Sequence, residues 1–146
     1  MTHSAAEANR PMVGIGVIII KNGKVLLGLR KGSHGAGTWA LPGGHLEFNE
    51  SIETCTEREV LEEVGIMIGN IEKVTFTNDI FAKEGKHYVT CYVKARYMSG
   101  RVRRMEPDKC LKWKWCKWGE FPEPLFIGLP ELLREIADPT IPAHKA

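Results

Sequence analysis

Three glutamates in one short segment have the spacing of a divalent-metal site. Glu59, Glu62 and Glu63 lie within the run REVLEE. Each residue of an α-helix turns about 100°, so Glu63 lies about 40° to one side of Glu59 and Glu62 about 60° to the other. Carboxylate oxygens suit Mg²⁺ and Mn²⁺, and such ions commonly act on phosphates. The spacing indicates a metal site for a phosphate substrate, and the alternative is a solvated acidic helix face.

A helix is predicted to carry these glutamates. Asn49 is a suitable N-cap, and Glu50 is expected in the first turn, near the positive end of the helix dipole. Gly65 suits the position just past the last turn. The opposite arc holds the aliphatic residues Val60, Leu61 and Val64. We expect this arc to pack on a sheet.

The sheet is predicted from apolar runs in the rest of the chain. Residues 13–20 and 24–29 flank Asn22-Gly23, a dipeptide typical of a type I′ hairpin turn. Residues 74–81 and 87–97 are also predicted strands, and 111–118 alternates lysine with tryptophan, as in a one-sided strand. Trp113 and Trp115 are interpreted as core, with a base-stacking surface as the alternative. A final helix is predicted over 129–137, with Pro130 in its first turn.

Length and composition favour one globular domain. The chain has 146 residues, 43% hydrophobic and 26% charged, with a net charge of +2, which does not suit a nucleic-acid polymer as partner. The longest aliphatic run, residues 17–20, is too short to span a membrane. The four cysteines form no CxxC pair, which argues against zinc and suits a reducing cytoplasm, with disulfides as the less favoured alternative. Residues 1–11 lack the apolar core of a secretory signal and are predicted to be a flexible leader, and residues 12–146 the single domain.

The segment GHLEFNESIETCTEREVLEEVGI, which begins at Gly44, resembles the Nudix box. The box reads G-x5-E-x7-R-E-U-x-E-E-x-G-U, where U is aliphatic, and the segment agrees at every fixed position: Gly44, Glu50, Arg58, Glu59, Val60, Glu62, Glu63, Gly65 and Ile66. The resemblance implies an α/β (α+β) Nudix fold, a mixed β-sheet sandwiched between helices. It also implies hydrolysis of nucleoside diphosphates linked to another group, with Mg²⁺ or Mn²⁺ as cofactor.

The resemblance also implies roles for individual residues. Glu59, Glu62 and Glu63 would be catalytic residues and metal ligands, with Glu59 favoured as general base and Glu62 or Glu63 orienting the water. The carbonyl of Gly43 and the carboxylate of Glu106 would complete the metal ligands. Glu50 and Arg58 would be the structural charges of the box, with two solvated side chains as the alternative.

Segments outside the box resemble MutT-like nucleoside triphosphate diphosphatases, in the branch that hydrolyses (deoxy)guanosine and thiopurine triphosphates. These segments are VLLGLRKGSHGAGTWALPGGHLEF, HYVT, MEPDKC, WKWCKW and LFIGL. The resemblance implies phosphate contacts by Arg30, Gly44 and His45, and a base pocket lined by Thr90, Gly128 and Leu129. Solvated or core positions are the alternatives for these side chains. Ala40 departs from the branch, which carries glutamine there.

Three functions are compatible with these features. The favoured one is metal-dependent hydrolysis of nucleoside triphosphates to monophosphate and pyrophosphate, in a role such as nucleotide-pool sanitising. The second is a Nudix hydrolase of dihydroneopterin triphosphate or ADP-ribose, although no proline lies about sixteen residues after the box, where ADP-ribose hydrolases resemble one another. The third is a non-catalytic nucleotide-binding module, against which the intact glutamates argue. The expected partner is the nucleotide, and a homodimer is left open.

Overall fold

The computed structural model describes residues 9–32 and 34–142, so the predicted flexible leader lies largely outside the described residues. Within these described residues, seven strands and two helices follow one another. They are β1 (Met12–Lys21), β2 (Lys24–Arg30), β3 (Trp39–Ala40), β4 (Gly43–His45), α1 (Ile52–Val64), β5 (Met67–Phe81), β6 (Lys86–Ser99), β7 (Cys110–Cys116) and α2 (Leu129–Glu135). Within these described ranges, no helix is long and apolar enough to cross a membrane.

The strands form one mixed sheet with the order β3-β2-β1-β6-β5. β4 adds to the sheet by pairing with β1, and β7 by pairing with β2. β1 and β6 are parallel, and the other pairs are antiparallel. This mixed sheet with helices confirms the predicted fold class.

The central strand β1 is buried on both faces because a separate hydrophobic core packs on each side of the sheet. Ile15, Val17 and Ile19 belong to the core that α1 covers. Ile18, which points to the other face, belongs to the core that α2 covers. The continuous aliphatic run of β1 is therefore the pattern of a strand with no solvent-facing side.

The hairpin between β1 and β2 is confirmed at the predicted dipeptide. Asn22 and Gly23 have φ values of 50° and 73°, the positive angles that a type I′ turn needs at both central positions. Lys21 pairs with Lys24 across the turn.

The start of α1 differs from the prediction. The N-cap is Ser51, whose side chain accepts a hydrogen bond from the backbone N–H of Thr54. Asn49 instead has a φ of 66° and lies in the turn before the helix, so Glu50 is also outside the first helical turn. The end of α1 is as predicted, because Gly65 has a φ of 75° and its N–H contacts the carbonyls of Val60 and Leu61.

The apolar arc of α1 is narrower than predicted. Val60 and Val64 are fully buried, but Leu61 is 51% exposed. Val60 and Val64 are four residues apart and lie about 40° from each other around the helix, so they form one narrow stripe. Leu61 is rotated about 100° from Val60 and lies outside this stripe. The prediction that Leu61 packs on the sheet is therefore wrong.

The other predicted elements are present with shifted bounds. β5 begins at Met67, earlier than predicted, while α2 has Pro130 in its first turn as expected. Trp113 and Trp115 are partly buried and pack against the core under α1. All four cysteines are free thiols.

Candidate active site

One cavity of about 720 Å³ brings most of the predicted site residues together. Its lining comes from all seven strands, from α1, from the start of α2 and from the loops before β3, β7 and α2. The predicted residues that line it are Arg30, Gly43, Gly44, His45, Arg58, Glu59, Glu62, Glu63, Thr90, Glu106 and Leu129. Ala40 also lines it. Among the described lining residues, neither Glu50 nor Gly128 is present.

Arg58 and Glu50 form a two-pronged ion pair at the edge of this cavity. Arg58 Nε donates to Glu50 Oε2 at 2.6 Å and Nη2 donates to Oε1 at 2.9 Å. These hydrogen bonds lower the pKa of Glu50 to about 2 and raise the pKa of Arg58. Arg58 also donates to the His45 carbonyl at 3.2 Å and to Glu59 Oε1 at 2.8 Å, so it links β4 to the helix.

Glu59 lies against the glycine that opens the box. A Cβ on Gly44 would lie 2.2 Å from Glu59 Cδ, so only glycine leaves room for this carboxylate. The Glu59 side chain is 13% exposed. Burial raises the pKa of Glu59, and the hydrogen bond from Arg58 opposes that rise. The negative charges of nearby Glu62 and Glu106 also raise the pKa of Glu59.

Glu63 is partly buried against β4. The backbone N–H of Gly43 donates to Glu63 Oε2 at 3.1 Å. Burial raises the pKa of Glu63 to about 8, with further contributions from Glu59 and Glu106. The Gly43 hydrogen bond and the charge of Arg30 lower it in part. Glu63 therefore lies in a crowded group of carboxylates that is not fully neutralised.

This group fits a hard divalent cation by its chemistry. Glu59, Glu62, Glu63 and Glu106 supply carboxylate oxygens at one end of the cavity, and the missing Cβ of Gly44 leaves a cradle for Glu59. In the described part of the chain, however, no three acidic, His or Cys side chains are already arranged to hold a metal ion. Two of the glutamates are instead oriented towards Arg58, whose Nη1 donates to Glu59 Oε1 at 2.8 Å and to Glu62 Oε2 at 3.4 Å.

A cationic and aromatic wall faces the carboxylates. Arg30 Nε donates to the His34 carbonyl at 2.8 Å, and its guanidinium lies 4.5 Å from the centre of the Phe126 ring. Burial lowers the pKa of Arg30, and Glu63 opposes this effect. His45 stacks on Tyr88 at 5.2 Å between ring centres. Burial, Lys86 and Lys109 lower the pKa of His45, which favours a neutral ring at pH 7.

The sequence did not reveal several lining residues. His34, Phe81, Tyr88 and Phe126 form an aromatic cluster, with His34 and Phe81 ring centres 4.3 Å apart. These residues are scattered along the chain: Tyr88 and Phe126 fall within HYVT and LFIGL, and His34 within the glycine-rich run KGSHGAG, but no spacing brings them together.

Trp113 is both a core residue and a lining residue. Its ring covers Gly28, where a Cβ would lie 2.6 Å from a ring carbon. Its indole Nε1 is buried and has no hydrogen-bond partner among the described residues.

A buried polar network lies behind Thr90 and was also missed. Asp79 is 3% exposed, and its Oδ2 accepts hydrogen bonds from Thr90 Oγ1 at 2.6 Å and Thr77 Oγ1 at 3.0 Å. A Cβ on Gly128 would lie 2.8 Å from both Asp79 oxygens and 2.7 Å from the Tyr92 hydroxyl. Gly128 therefore packs closely against this polar network, which lies beside the cavity.

The mixed sheet between two helices, with glutamates of one helix lining a cavity, defines a Nudix-type fold. Residues 10–136 match the family model of the NUDIX domain, and the chain belongs to that family. A crystal structure of a MutT NUDIX hydrolase from Burkholderia pseudomallei is 33% identical and has a TM-score of 0.81. The match covers 88% of this chain and 99% of that one.

Two curated relatives match shorter segments. An oxidized purine nucleoside triphosphate hydrolase from Danio rerio is 40% identical over 58 residues, which are 40% of this chain and 37% of that protein. An ADP-ribose pyrophosphatase from Methanocaldococcus jannaschii is 42% identical over 57 residues, which are 39% of this chain and 34% of that protein. The matched segments thus span well under half the length of these two relatives.

Proposed function

We propose that this protein is a metal-dependent pyrophosphohydrolase that splits nucleoside triphosphates into nucleoside monophosphate and pyrophosphate. Membership of the NUDIX family supports pyrophosphohydrolase activity on nucleotide derivatives, and family members generally use a divalent metal such as Mg²⁺. A triphosphate substrate is favoured by the likeness to the oxidized purine nucleoside triphosphate hydrolase. Sanitising of the nucleotide pool is the role that we propose for this activity.

The observation that carries the proposal is the composition of this cavity. A group of carboxylates lies at one end, and Arg30 with an aromatic cluster lines the remainder. A polyphosphate needs cations around its oxygens, and a nucleobase needs an apolar, partly aromatic surface. The cavity already has the aromatic surface for a nucleobase. Its carboxylates would provide the positive charge for the polyphosphate by holding a cation.

The metal ligands in this proposal are Glu59, Glu62, Glu63, Glu106 and the carbonyl of Gly43. Glu62 is 52% exposed and Glu106 is 32% exposed, and their ion pairs measure 3.4 and 3.6 Å. Both side chains are therefore free to turn towards Glu59 and Glu63. A bound divalent cation would neutralise phosphate charge and polarise the reacting phosphate.

The other residues of the chain bind and orient the substrate. Arg30 faces the carboxylate end and would bind phosphate oxygens through its guanidinium. A neutral His45 would donate one hydrogen bond to a phosphate oxygen, and Gly44 permits close approach of the backbone. Thr90 and Leu129 would contact the base, while Gly128 would act through its packing against Asp79.

Glu59 is the residue that we propose as general base. Its Oε1 accepts a hydrogen bond from Arg58, which fixes the orientation of the carboxylate. Burial raises its pKa, and a base becomes more effective as its pKa approaches the working pH. Glu59 would remove the proton of the attacking water, and Glu62 or Glu63 would orient that water.

Hydrolysis in oxygen-18 water, followed by phosphorus NMR, tests this proposal. A deoxynucleoside triphosphate should yield monophosphate and pyrophosphate, with the label on one of them, because water attacks an inner phosphorus. Release of orthophosphate and a diphosphate as main products would contradict the mechanism. Turnover of ADP-ribose with no turnover of triphosphates would support the site and reject the substrate class.

A further inference from the structure

We propose that Lys86 binds the outermost phosphate of a nucleoside triphosphate and thereby makes this protein favour triphosphates over diphosphates of the same nucleoside. Lys86 would be a specificity-determining residue that contacts the part of the substrate furthest from the nucleoside. The inference rests on the proposed function, because it concerns the polyphosphate chain of the same substrate.

The first step concerns the direction of the Lys86 side chain. Lys86 is the first residue of β6 and lies opposite Phe81 in the antiparallel register with β5. Directly opposite residues share one face of a sheet, and so do alternate residues along a strand. Lys86 therefore shares a face with Phe81 and Tyr88, and all three residues line the cavity. Because Lys86 is exposed and lies at the end of its strand, it belongs to the mouth of the cavity.

The second step concerns the partners of the basic side chains in the cavity. The described lining residues include five of them: Arg30, Lys31, Arg58, Lys86 and Lys109. Glutamates pair with Arg58 and with Lys109, whose Nζ lies 3.6 Å from Glu106 Oε2. Neither Lys31 nor Lys86 has an ion pair within 4 Å with a described residue. The three N–H donors of the Lys86 ammonium group are therefore available to a ligand.

The third step concerns the path from the carboxylate end to Lys86. His45, a proposed phosphate contact, has its pKa lowered by burial and then by the charges of Lys86 and Lys109. The pKa of His34 is lowered by burial, by a neighbouring arginine and by Lys86, against a smaller opposing effect of Glu84. The charge of Lys86 is thus close to both rings. A chain of phosphates that contacts His45 has the Lys109 cation near the carboxylates and the Lys86 cation near the mouth.

The fourth step matches this arrangement to the length of the polyphosphate. The proposed metal ligands hold the phosphates next to the bond that is split. A triphosphate has one phosphate more beyond that bond than a diphosphate has, and the unpaired ammonium group of Lys86 can donate charge-assisted hydrogen bonds to it. A diphosphate lacks this phosphate and leaves Lys86 in solvent. The contact therefore adds affinity for the triphosphate alone.

Kinetics with the triphosphate and the diphosphate of one nucleoside test the inference. We would measure kcat and KM for dGTP and dGDP with Mg²⁺ in the wild type, which should favour dGTP, and in Lys86→Met, which keeps the apolar stem and removes the charge. The dGTP-to-dGDP ratio of kcat/KM should fall about tenfold or more in Lys86→Met, the effect of one lost charge-assisted bond. The loss should appear in KM for dGTP, because the contact is the same in the ground state and the transition state. The constants for dGDP should change less than about twofold, since an exposed charge without a contact contributes little.

Three further variants separate this contact from a general effect of charge. Lys86→Arg keeps the charge and should keep the ratio. Lys83→Met is the matched control, because Lys83 is exposed in the turn before β6 and is not among the described residues that line the cavity. Lys31→Met should also keep the ratio, since Lys31 is not among the residues whose charges lower the pKa of His45. If Lys86→Met does not fold, Lys86→Gln takes its place.

Attraction of anions at long range is the alternative role of an exposed lysine at a cavity mouth. Such attraction acts on dGTP and dGDP alike and is largely screened in about 0.3 M salt. The selective loss in Lys86→Met should persist at that salt concentration, because a direct contact is screened much less.

Several outcomes overturn the inference. An unchanged dGTP-to-dGDP ratio in Lys86→Met would do so, as would equal losses for both nucleotides, an equal fall of the ratio in Lys31→Met, or a wild type without a preference for dGTP. Failure of the proposed function has a different signature, which titration calorimetry with uncleavable α,β-methylene analogues of dGTP and dGDP detects. If the wild type hydrolyses neither nucleotide but binds the triphosphate analogue more tightly, and Lys86→Met removes this difference, the proposed function fails and the role of Lys86 stands.

Discussion

Glu50 and Glu63 belong to the same sequence motif but have opposite electrostatic environments. Arg58 donates two hydrogen bonds to the Glu50 carboxylate, and these bonds lower the pKa of Glu50 to about 2. Burial raises the pKa of Glu63 to about 8, and its neighbours include two more carboxylates. The motif thus contains one acidic residue whose charge Arg58 balances and another that is placed beside other carboxylates. The two glutamates therefore differ in what lies next to them: Arg58 beside Glu50, and other carboxylates beside Glu63.

Of the changes that test this comparison, removal of divalent metal should have the largest effect on hydrolysis. We expect chelation to abolish hydrolysis and Mg²⁺ or Mn²⁺ to restore it, because the carboxylates around Glu63 repel the substrate phosphates until a cation is bound. A coupled pyrophosphate assay with metal-free protein measures the effect. Turnover that survives thorough chelation and metal-free dialysis would reject the proposed site.

Glu63→Gln should reduce turnover by about a hundredfold or more, since it removes a ligand charge at the reacting centre. Glutamine keeps an oxygen that can accept the Gly43 N–H, so circular dichroism should show an intact fold. Glu57→Gln is the matched control, because Glu57 is exposed on the same helix. Near-normal kcat in Glu63→Gln would leave Glu63 as an ordinary acidic residue of the helix.

Glu50→Gln should have a smaller effect, about a tenfold loss of kcat/KM, typical of a residue that orients a metal ligand. The loss would act through Arg58, which also holds Glu59. Glu47→Gln serves as control, since Glu47 is 70% exposed and lies 3.8 Å from Arg58. If Glu50→Gln matched the loss in Glu63→Gln, the distinction between the two glutamates would be wrong.

The pH dependence of metal-free stability should show the smallest effect. The folded-state pKa of Glu63, about 8, is above the ordinary value of 4.5, so its stabilising contribution is complete below pH 4.5 and is lost as the pH rises through 8. The pKa of Glu50, about 2, has the reverse sign, so its contribution is present above pH 4.5 and is lost as the pH falls towards 2.

Calorimetric melts between pH 5 and 9 can separate these contributions. The Tm of the metal-free wild type should fall by a few degrees more than that of Glu63→Gln over this range. Parallel curves for the two proteins would show that Glu63 is already ionised at neutral pH in the absence of metal.

The features that the sequence predicted correctly depend on local patterns. The Asn22-Gly23 turn, the Gly65 cap and Pro130 in α2 follow from backbone preferences of single residues. Glu59, Glu62 and Glu63 reach one cavity because helix geometry and the box spacing hold them together.

The features that it missed depend on contacts between distant segments. Ser51, not Asn49, is the N-cap, and Glu50 between them accepts a hydrogen bond from Arg58, eight residues further along the chain. Asp79 meets Thr90 only through the register of β5 and β6, and no spacing within either strand predicts that register.

The position of β1 has a consequence for local opening of the molecule. β1 pairs with β2, β4 and β6, and its pairing with β6 joins parts of the chain that are distant in sequence. Amide hydrogens in such a strand exchange with solvent only when the whole domain unfolds, while loops open by themselves. Gly14 and Gly16 of β1 line the cavity, and Glu106 reaches it from a loop. Hydrogen exchange should therefore be slow at the floor of the cavity and fast at the Glu106 loop, so that one side of the site opens while the other stays folded.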